Sequence, residues 1–243
     1  MTLNIDQQGN RRRSIHGVTL GILMLDTYFQ RLPGDIGNGA TWPFPVQYAI
    51  VRGATPQKVV EGGAVGVLDG FLRAIDELVD IGVDGIGTGC GFLAKLHPQL
   101  VAHSPVPMAT SSLLQISFVQ SMLPAGKQVG VLTADEDALT EAHFAGVGLK
   151  RDMPIAGLAL DGVMKKNHRT NATVVDYDVN ESEVMAVATR LLSQNPNVGA
   201  IVSECTNFAP YSAAISRRFR IPVYDVVTML TWFQSGLSPK PFV

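Results

Sequence analysis

An α/β unit written twice limits what this chain can fold into more than any other feature. Two apolar runs, Val83 to Cys90 and Val198 to Cys205, read as buried strands, and each ends in one of the chain's two cysteines. With Cys90 laid on Cys205, Val83 falls on Val198, Ile86 on Ile201 and Thr88 on Ser203, all 115 positions apart. The same spacing carries Val106-Pro107 onto Ile221-Pro222 and Phe118 onto Phe233. Upstream, Leu20-Gly21-Ile22-Leu23 with Asp26 matches Val129-Gly130-Val131-Leu132 with Asp135 at an offset of 109, so one half carries extra loop residues. Halves related by a pseudo-twofold bring equivalent strand ends together, and the pattern predicts two thiols facing across one cleft.

The remaining elements fit that plan. The first half reads as a strand over 18–25, a Pro/Gly-rich loop over 26–46, a strand over 47–51 and a helix over 64–79. The Cys90 strand follows, then a short helix interrupted by His97-Pro98, a strand over 106–109 and a helix over 111–123. The second half reads as a strand over 129–133, a helix over 135–145, a strand over 155–160 and a polar stretch over 165–178. A helix over 181–193 comes next, opened by Asn180 with Glu183 three positions on. The Cys205 strand, a helix over 210–219, a strand over 221–226 and a last helix close the chain. Such alternation predicts an α/β fold of two similar lobes, each a mostly parallel sheet flanked by helices, with ligands at the carboxyl ends of strands. An apolar content of 46% against 16% charged suits internal parallel strands. The 26–46 loop is long enough to be read as functional.

Several function classes drop out. A net charge of −2 with no basic block argues against nucleic acid or an anionic membrane surface as partner. No apolar run approaches the roughly 20 residues that span a bilayer. Arg11-Arg12-Arg13 ahead of the apolar 18–25 stretch resembles the start of an export signal. Asp26 follows at once without a small-residue cleavage site, and the stretch matches an internal strand of the second half, so the expected location is the cytoplasm. The histidines at 16, 97, 103, 143 and 168 lack metal-ligand spacing, and no metal or cofactor is expected. The glycines over 34–39 and 62–66 lack the Lys-Ser/Thr of a phosphate-binding loop.

The chemistry falls to the thiols. A helix start after each cysteine would offer free N–H groups and favour thiolate. A thiol and a thiolate on opposite faces of a carbon acid form a two-base system: one removes the proton and the other returns one from the far side. The glycines beside Cys90 leave amides open to hold a carboxylate. Thr88, Thr110, Ser111, Ser112, Thr206 and Asn207 add neutral donors at strand ends, which would stabilise the charge that develops there. Asp26 is a candidate for a substrate ammonium and equally for a turn former; Thr133 and Asp135, its counterparts, suit a helix cap better. Inert packing and a disulfide are the plain alternatives for the cysteines; the repeat favours chemistry.

Thr88-Gly89-Cys90-Gly91 and Glu204-Cys205-Thr206-Asn207 resemble the two cysteine motifs of the aspartate/glutamate/hydantoin racemase superfamily, which works without pyridoxal phosphate. The likeness spans about residues 16–235. It implies a site between lobes, chain crossings near 108–112 and 222–226, and lobes over 14–109 plus 225–243 and over 110–224 after a flexible tail at 1–13. Cys90 and Cys205 would be the acid/base pair. Asp26, Thr88, Gly89, Gly91, Thr110, Ser111, Thr133, Thr206 and Asn207 would contact the substrate.

The chain departs from its amino-acid racemases at Gly91-Phe92, where Asn-Thr is common, and at Asn207, where glutamate racemases place His. Asp26-Thr27-Tyr28 replaces their Ser-Gly-rich loop. The expected activity is racemisation or epimerisation of a small carboxylate, an amino acid such as aspartate or glutamate, by a possible homodimer. Within the superfamily the alternatives are maleate-isomerase-like or malonate-decarboxylase-like chemistry. From another class, the alternative is a two-lobed small-ligand binding protein without turnover.

Overall fold

The computed structural model describes residues 3, 5–8 and 11–242. Among them, two four-stranded sheets repeat one plan. The first contains β1 (Leu20–Leu25), β2 (Val46–Val51), β3 (Gly85–Thr88) and β4 (Met108–Ala109) in the order β2-β1-β3-β4. The second contains β5 (Gln128–Thr133), β6 (Ile155–Gly157), β7 (Val198–Ser203) and β8 (Val223–Tyr224) in the order β6-β5-β7-β8. Every pairing is parallel. The repeat holds to the residue: Gly21 lies opposite Ile86 and Gly87 opposite Ala109, while Gly130 lies opposite Ile201 and Val202 opposite Tyr224.

Helices cover the sheets: α1 (Leu68–Ile81), α2 (His97–His103), α3 (Ile116–Met122), α4 (Glu141–Gly146), α5 (Val163–Thr170), α6 (Tyr177–Gln194), α7 (Ser212–Phe219) and α8 (Val226–Leu237). The glycines at the centre of β1 and β5 serve this packing. A Cβ on Gly21 would stand 2.9 Å from a methyl of Leu78 on α1, and one on Gly130 2.9 Å from a methyl of Leu191 on α6. Absent side chains thus let each helix settle on its sheet. After β4 the chain crosses over, so that α3 packs on β5; after β8 it returns, and Leu230, Phe233 and Leu237 of α8 press on Gly85 and Gly87 of β3. One buried apolar cluster runs from Leu23, Phe71, Ile75 and Ile86 of the first half to Val129, Val131, Phe144 and Val202 of the second.

Four local expectations change. Pro98 does not interrupt a helix; it stands in the first turn of α2, where its missing N–H is no loss. The helix expected over 135–145 is only α4, because Asp135 accepts from Ala138 N at 3.1 Å and holds the preceding residues in a turn. The polar stretch over 165–178 is largely helical and supplies most of α5. Asp176, not Asn180, caps α6, accepting from Val179 N at 3.1 Å, and Asn180 is buried inside the helix.

Of the expected tail at 1–13, residues 1, 2, 4, 9 and 10 lie outside the described residues. Its end is not free: Arg11 reaches Asp84 at 3.2 Å and Arg13 reaches it at 2.5 Å. Among the described residues, no helix is long and apolar enough to cross a membrane.

Candidate active site

Each cysteine stands two positions past the end of a strand, after Gly89 beyond β3 and after Glu204 beyond β7. The main chain is held identically at the two ends. Gly89 N donates to Leu23 O on β1, and Glu204 N donates to Leu132 O on β5, both at 2.7 Å. Each cysteine then opens a 3-10 turn, Gly91–Leu96 or Thr206–Tyr211. The two turns are stitched together by Thr206 Oγ1, which donates to Gly89 O at 2.9 Å.

Cys90 and Cys205 are free thiols, 8% and 7% exposed, and both line one cleft. They are close enough that charge on Cys90 raises the pKa of Cys205. The expectation of thiolate-favouring surroundings is overturned. Burial pushes the Cys90 thiol up to about 12, with the nearby Glu204 charge adding to the rise. Burial and then Glu204 push Cys205 up as well. The expected backbone donors exist, from Phe92 and Leu93 to Cys90 and from Asn207 to Cys205, but desolvation outweighs them.

Of the residues expected around the thiols, Gly89, Gly91, Thr206 and Asn207 line the cleft. The other five do not line it, and each is occupied elsewhere. Asp26 pairs with Arg52 at 3.0 Å and accepts from Gly53 N at 2.9 Å, so it forms a turn and is not placed to hold an ammonium. Thr88 Oγ1 donates to Thr110 O at 2.5 Å, and Thr110 Oγ1 lies 2.9 Å from His97 Nδ1. Ser111 accepts from Leu113 N at the start of its turn, and Thr133 donates to Glu204 Oε2 at 2.6 Å. These are strand-end residues whose side chains point to structural partners; strand ends alone do not reveal that direction.

The cleft also holds charges the sequence left unassigned. Arg31, in the long loop after β1, is gripped by Asp35 at 3.0 Å, donates to Thr27 Oγ1 at 2.6 Å and lies 4.1 Å from the centre of the Phe29 ring. Asp35 in turn accepts from Asn207 Nδ2 at 2.7 Å, which ties the loop to the Cys205 turn. From α5 come Lys165, paired with Asp135 at 2.8 Å, together with His168 and Arg169. Burial and then Arg31 pull the His168 pKa down to about 4, so its imidazole is neutral at pH 7. The recurrence of Lys165 and His168 three positions apart is the helical spacing that could have placed them on one face. Among the described residues, no group of three or more His, Cys, Asp or Glu side chains is set to hold a metal ion.

Gly91 has a steric reason beyond open amides. A Cβ there would overlap both Oε1 and the carbonyl oxygen of Glu204. Gly91→Ala is therefore expected to lower stability by about 1–3 kcal/mol, read as a reduced Tm. An unchanged Tm would show that the turn yields freely.

No protein-family model matches the chain. It is 25% identical over 239 residues to a dimethylsulfoniopropionate lyase of Durusdinium sp. clade D, covering 94% of this chain and 78% of that one. Dimethylsulfoniopropionate lyase 5 of Emiliania huxleyi (strain CCMP1516) is also 25% identical over 239 residues, across 91% of this chain but 46% of its own length. In structure, allantoin racemase from Klebsiella pneumoniae superposes with a TM-score of 0.64 at 18% identity, over 90% of this chain and 87% of that one. A glycine-to-cysteine mutant of arylmalonate decarboxylase superposes at 0.60 and 18% identity, over 90% and 92%. The doubled parallel sheet and these superpositions agree: the chain has the two-lobed α/β fold seen in allantoin racemase and arylmalonate decarboxylase.

Proposed function

We propose that this protein is a cofactor-independent racemase or epimerase of a small carboxylate, with Cys90 and Cys205 as the facing acid/base groups. The observation that carries the reading is that both thiols, from equivalent strand ends, line the same cleft. One thiolate takes the proton from the carbon beside the carboxylate; the other thiol delivers its proton to the opposite face, and the stereocentre inverts. Arg31 and Lys165 supply positive charge where the substrate carboxylate gathers electron density. The N–H groups of Phe92, Leu93 and Asn207 oppose the desolvation of the sulfurs.

One observation favours a second reading. Two carboxylates lining the cleft are already paired with cations, Glu61 with Arg169 and Asp135 with Lys165, both at 2.8 Å, and the third, Glu204, is 0% exposed and accepts from Thr133. No exposed, unpaired carboxylate among the described residues lining the cleft is offered to a substrate ammonium, while Phe29 and Phe92 offer aromatic walls. Together with relatives named dimethylsulfoniopropionate lyase, this suits β-elimination from a sulfonium propionate. A thiolate would remove the α-proton, the β carbon–sulfur bond would break with its electron pair leaving on dimethyl sulfide, and acrylate would remain.

Incubation in deuterated water with L- and D-amino acids, maleate, an aryl malonate and dimethylsulfoniopropionate separates these outcomes. Racemisation gives α-deuterium with loss of chirality; elimination gives dimethyl sulfide and acrylate. Absence of exchange, elimination, isomerisation and decarboxylation across the panel would end the enzymatic reading in favour of a binding protein.

A further inference from the structure

Glu204 differs from every other charged group lining the cleft. Arg31 has Asp35, Lys165 has Asp135 and Arg169 has Glu61, whereas among the described residues no cation pairs with Glu204. It is 0% exposed. Its Oε2 accepts from Thr133, and among the described residues its Oε1 has no hydrogen-bond partner. The carboxyl lies across Gly91, which adjoins Cys90, while its own backbone adjoins Cys205. It therefore bridges both cysteine turns. The fold does not demand it there: the counterpart in the first half is Gly89, which makes the same backbone bond with no side chain.

We propose that Glu204 is a positioning residue shared by both thiols, permitting thiolate at Cys90 and Cys205 while it carries a proton and opposing it once ionised. The inference rests on the two-thiol reading for its place in the reaction, but not for its test. Burial, only partly offset by the Thr133 hydrogen bond, pushes the Glu204 pKa up to about 8. Its charge raises the pKa of both cysteines. The other groups facing the sulfurs are accounted for. Arg31, from the loop after β1, lowers Cys90, and Asp35 from the same loop raises Cys205. Lys165, His168 and Arg169 from α5, Asp135 beyond β5 and Glu61 from the 57–61 turn complete the wall. None of these sits between the two turns as Glu204 does.

The sign follows. Below about pH 8 Glu204 is neutral, and its penalty on the thiolates is absent. As pH rises through that value its negative charge appears and suppresses ionisation of both sulfurs. An ordinary thiol reacts about tenfold faster per pH unit below its pKa; here that rise should flatten. The measurement is iodoacetamide alkylation of each cysteine in the folded chain, followed by peptide mass spectrometry from about pH 6 to 10.

In the parent protein, both rates are expected to flatten around pH 8. In Glu204→Gln they should rise steadily and exceed the parent by about tenfold near pH 9, with little difference near pH 6. Thr133→Val, which removes the donor that favours the ionised form, should move the flattening to higher pH and serves if Glu204→Gln does not fold. Superimposable profiles, or profiles offset by one constant factor at every pH, would overturn the proposal. That result leaves the two-thiol reaction untouched, whereas racemisation surviving the loss of a thiol would sink the reaction and leave the alkylation profile standing.

Discussion

Cys90→Ala and Cys205→Ala are each expected to abolish stereochemical inversion while leaving the fold in place. General acid–base catalysis by a positioned side chain is typically worth about 10²–10⁴-fold, and two-sided inversion needs both members. The variants should differ in what survives. A chain with one thiol can still draw a proton from the face that thiol addresses, so deuterium wash-in should persist from one enantiomer only, and from the opposite enantiomer in the other variant. Elimination predicts a different asymmetry, because it needs one base: one variant would lose dimethyl sulfide release and the other would keep most of it. Each change removes only one sulfur atom, buried but bordering the cleft, so Tm should fall only modestly. Inversion at the parental rate in either variant would remove that thiol from the mechanism.

The thiols' high intrinsic pKa bears on how such a site works. In the open cleft, burial keeps both sulfurs protonated at pH 7. Thiolate must then form at the moment of reaction, against a cost set by desolvation and lowered by the N–H groups of the turns and by Arg31. Such a thiol is a stronger base once deprotonated, which suits abstraction of a weakly acidic proton from carbon. The neutral state of Glu204 matters for the same reason, since a full charge there would oppose both sulfurs at once.

How much of this was legible in the sequence divides along a physical line. The repeat made the doubled, mostly parallel α/β plan legible because a pattern of apolar residues 115 apart has to satisfy the same packing twice: Val83 and Val198 fill the same space beside Gly21 and Gly130. It also put both cysteines at one cleft, since strand ends are fixed by the sheet. Side-chain direction was not legible. Asp26 and Asp135 stand at equivalent positions after β1 and β5, yet one turns to Arg52 and the other to Lys165. The α5 contribution was missed because Val163–Thr170 is mostly polar: its amphipathic face covers a cleft rather than a core, so apolar periodicity is weak. Arg31 lies in a loop, where no periodicity exists to read.

Gly146→Ala is expected to impair stability and reaction together, because one close approach connects the second half to the Cys90 turn. α4 packs on the 3-10 turn Gly91–Leu96, with Phe144 fully buried and His143 edge-on to Phe92 at 5.2 Å. At its last residue, Gly146, an added Cβ would overlap the carbonyl oxygen of Ala94. That oxygen belongs to the backbone of the turn, so no flexible side chain can swing aside, and either α4 or the turn must shift. Overpacking of this kind costs about 1–3 kcal/mol. For a chain of this length the loss corresponds to roughly 2–4 °C in Tm per kcal/mol. The turn that gives way begins at Cys90, so displacement should also degrade proton transfer at that thiol more than at Cys205. Enantiomer-resolved deuterium exchange reads the difference: the enantiomer served by Cys90 should slow, and the one served by Cys205 should hold nearer the parental rate. Equal slowing of both would place the strain on the whole interface and not on the turn, and an unchanged Tm would show that α4 is free to move away.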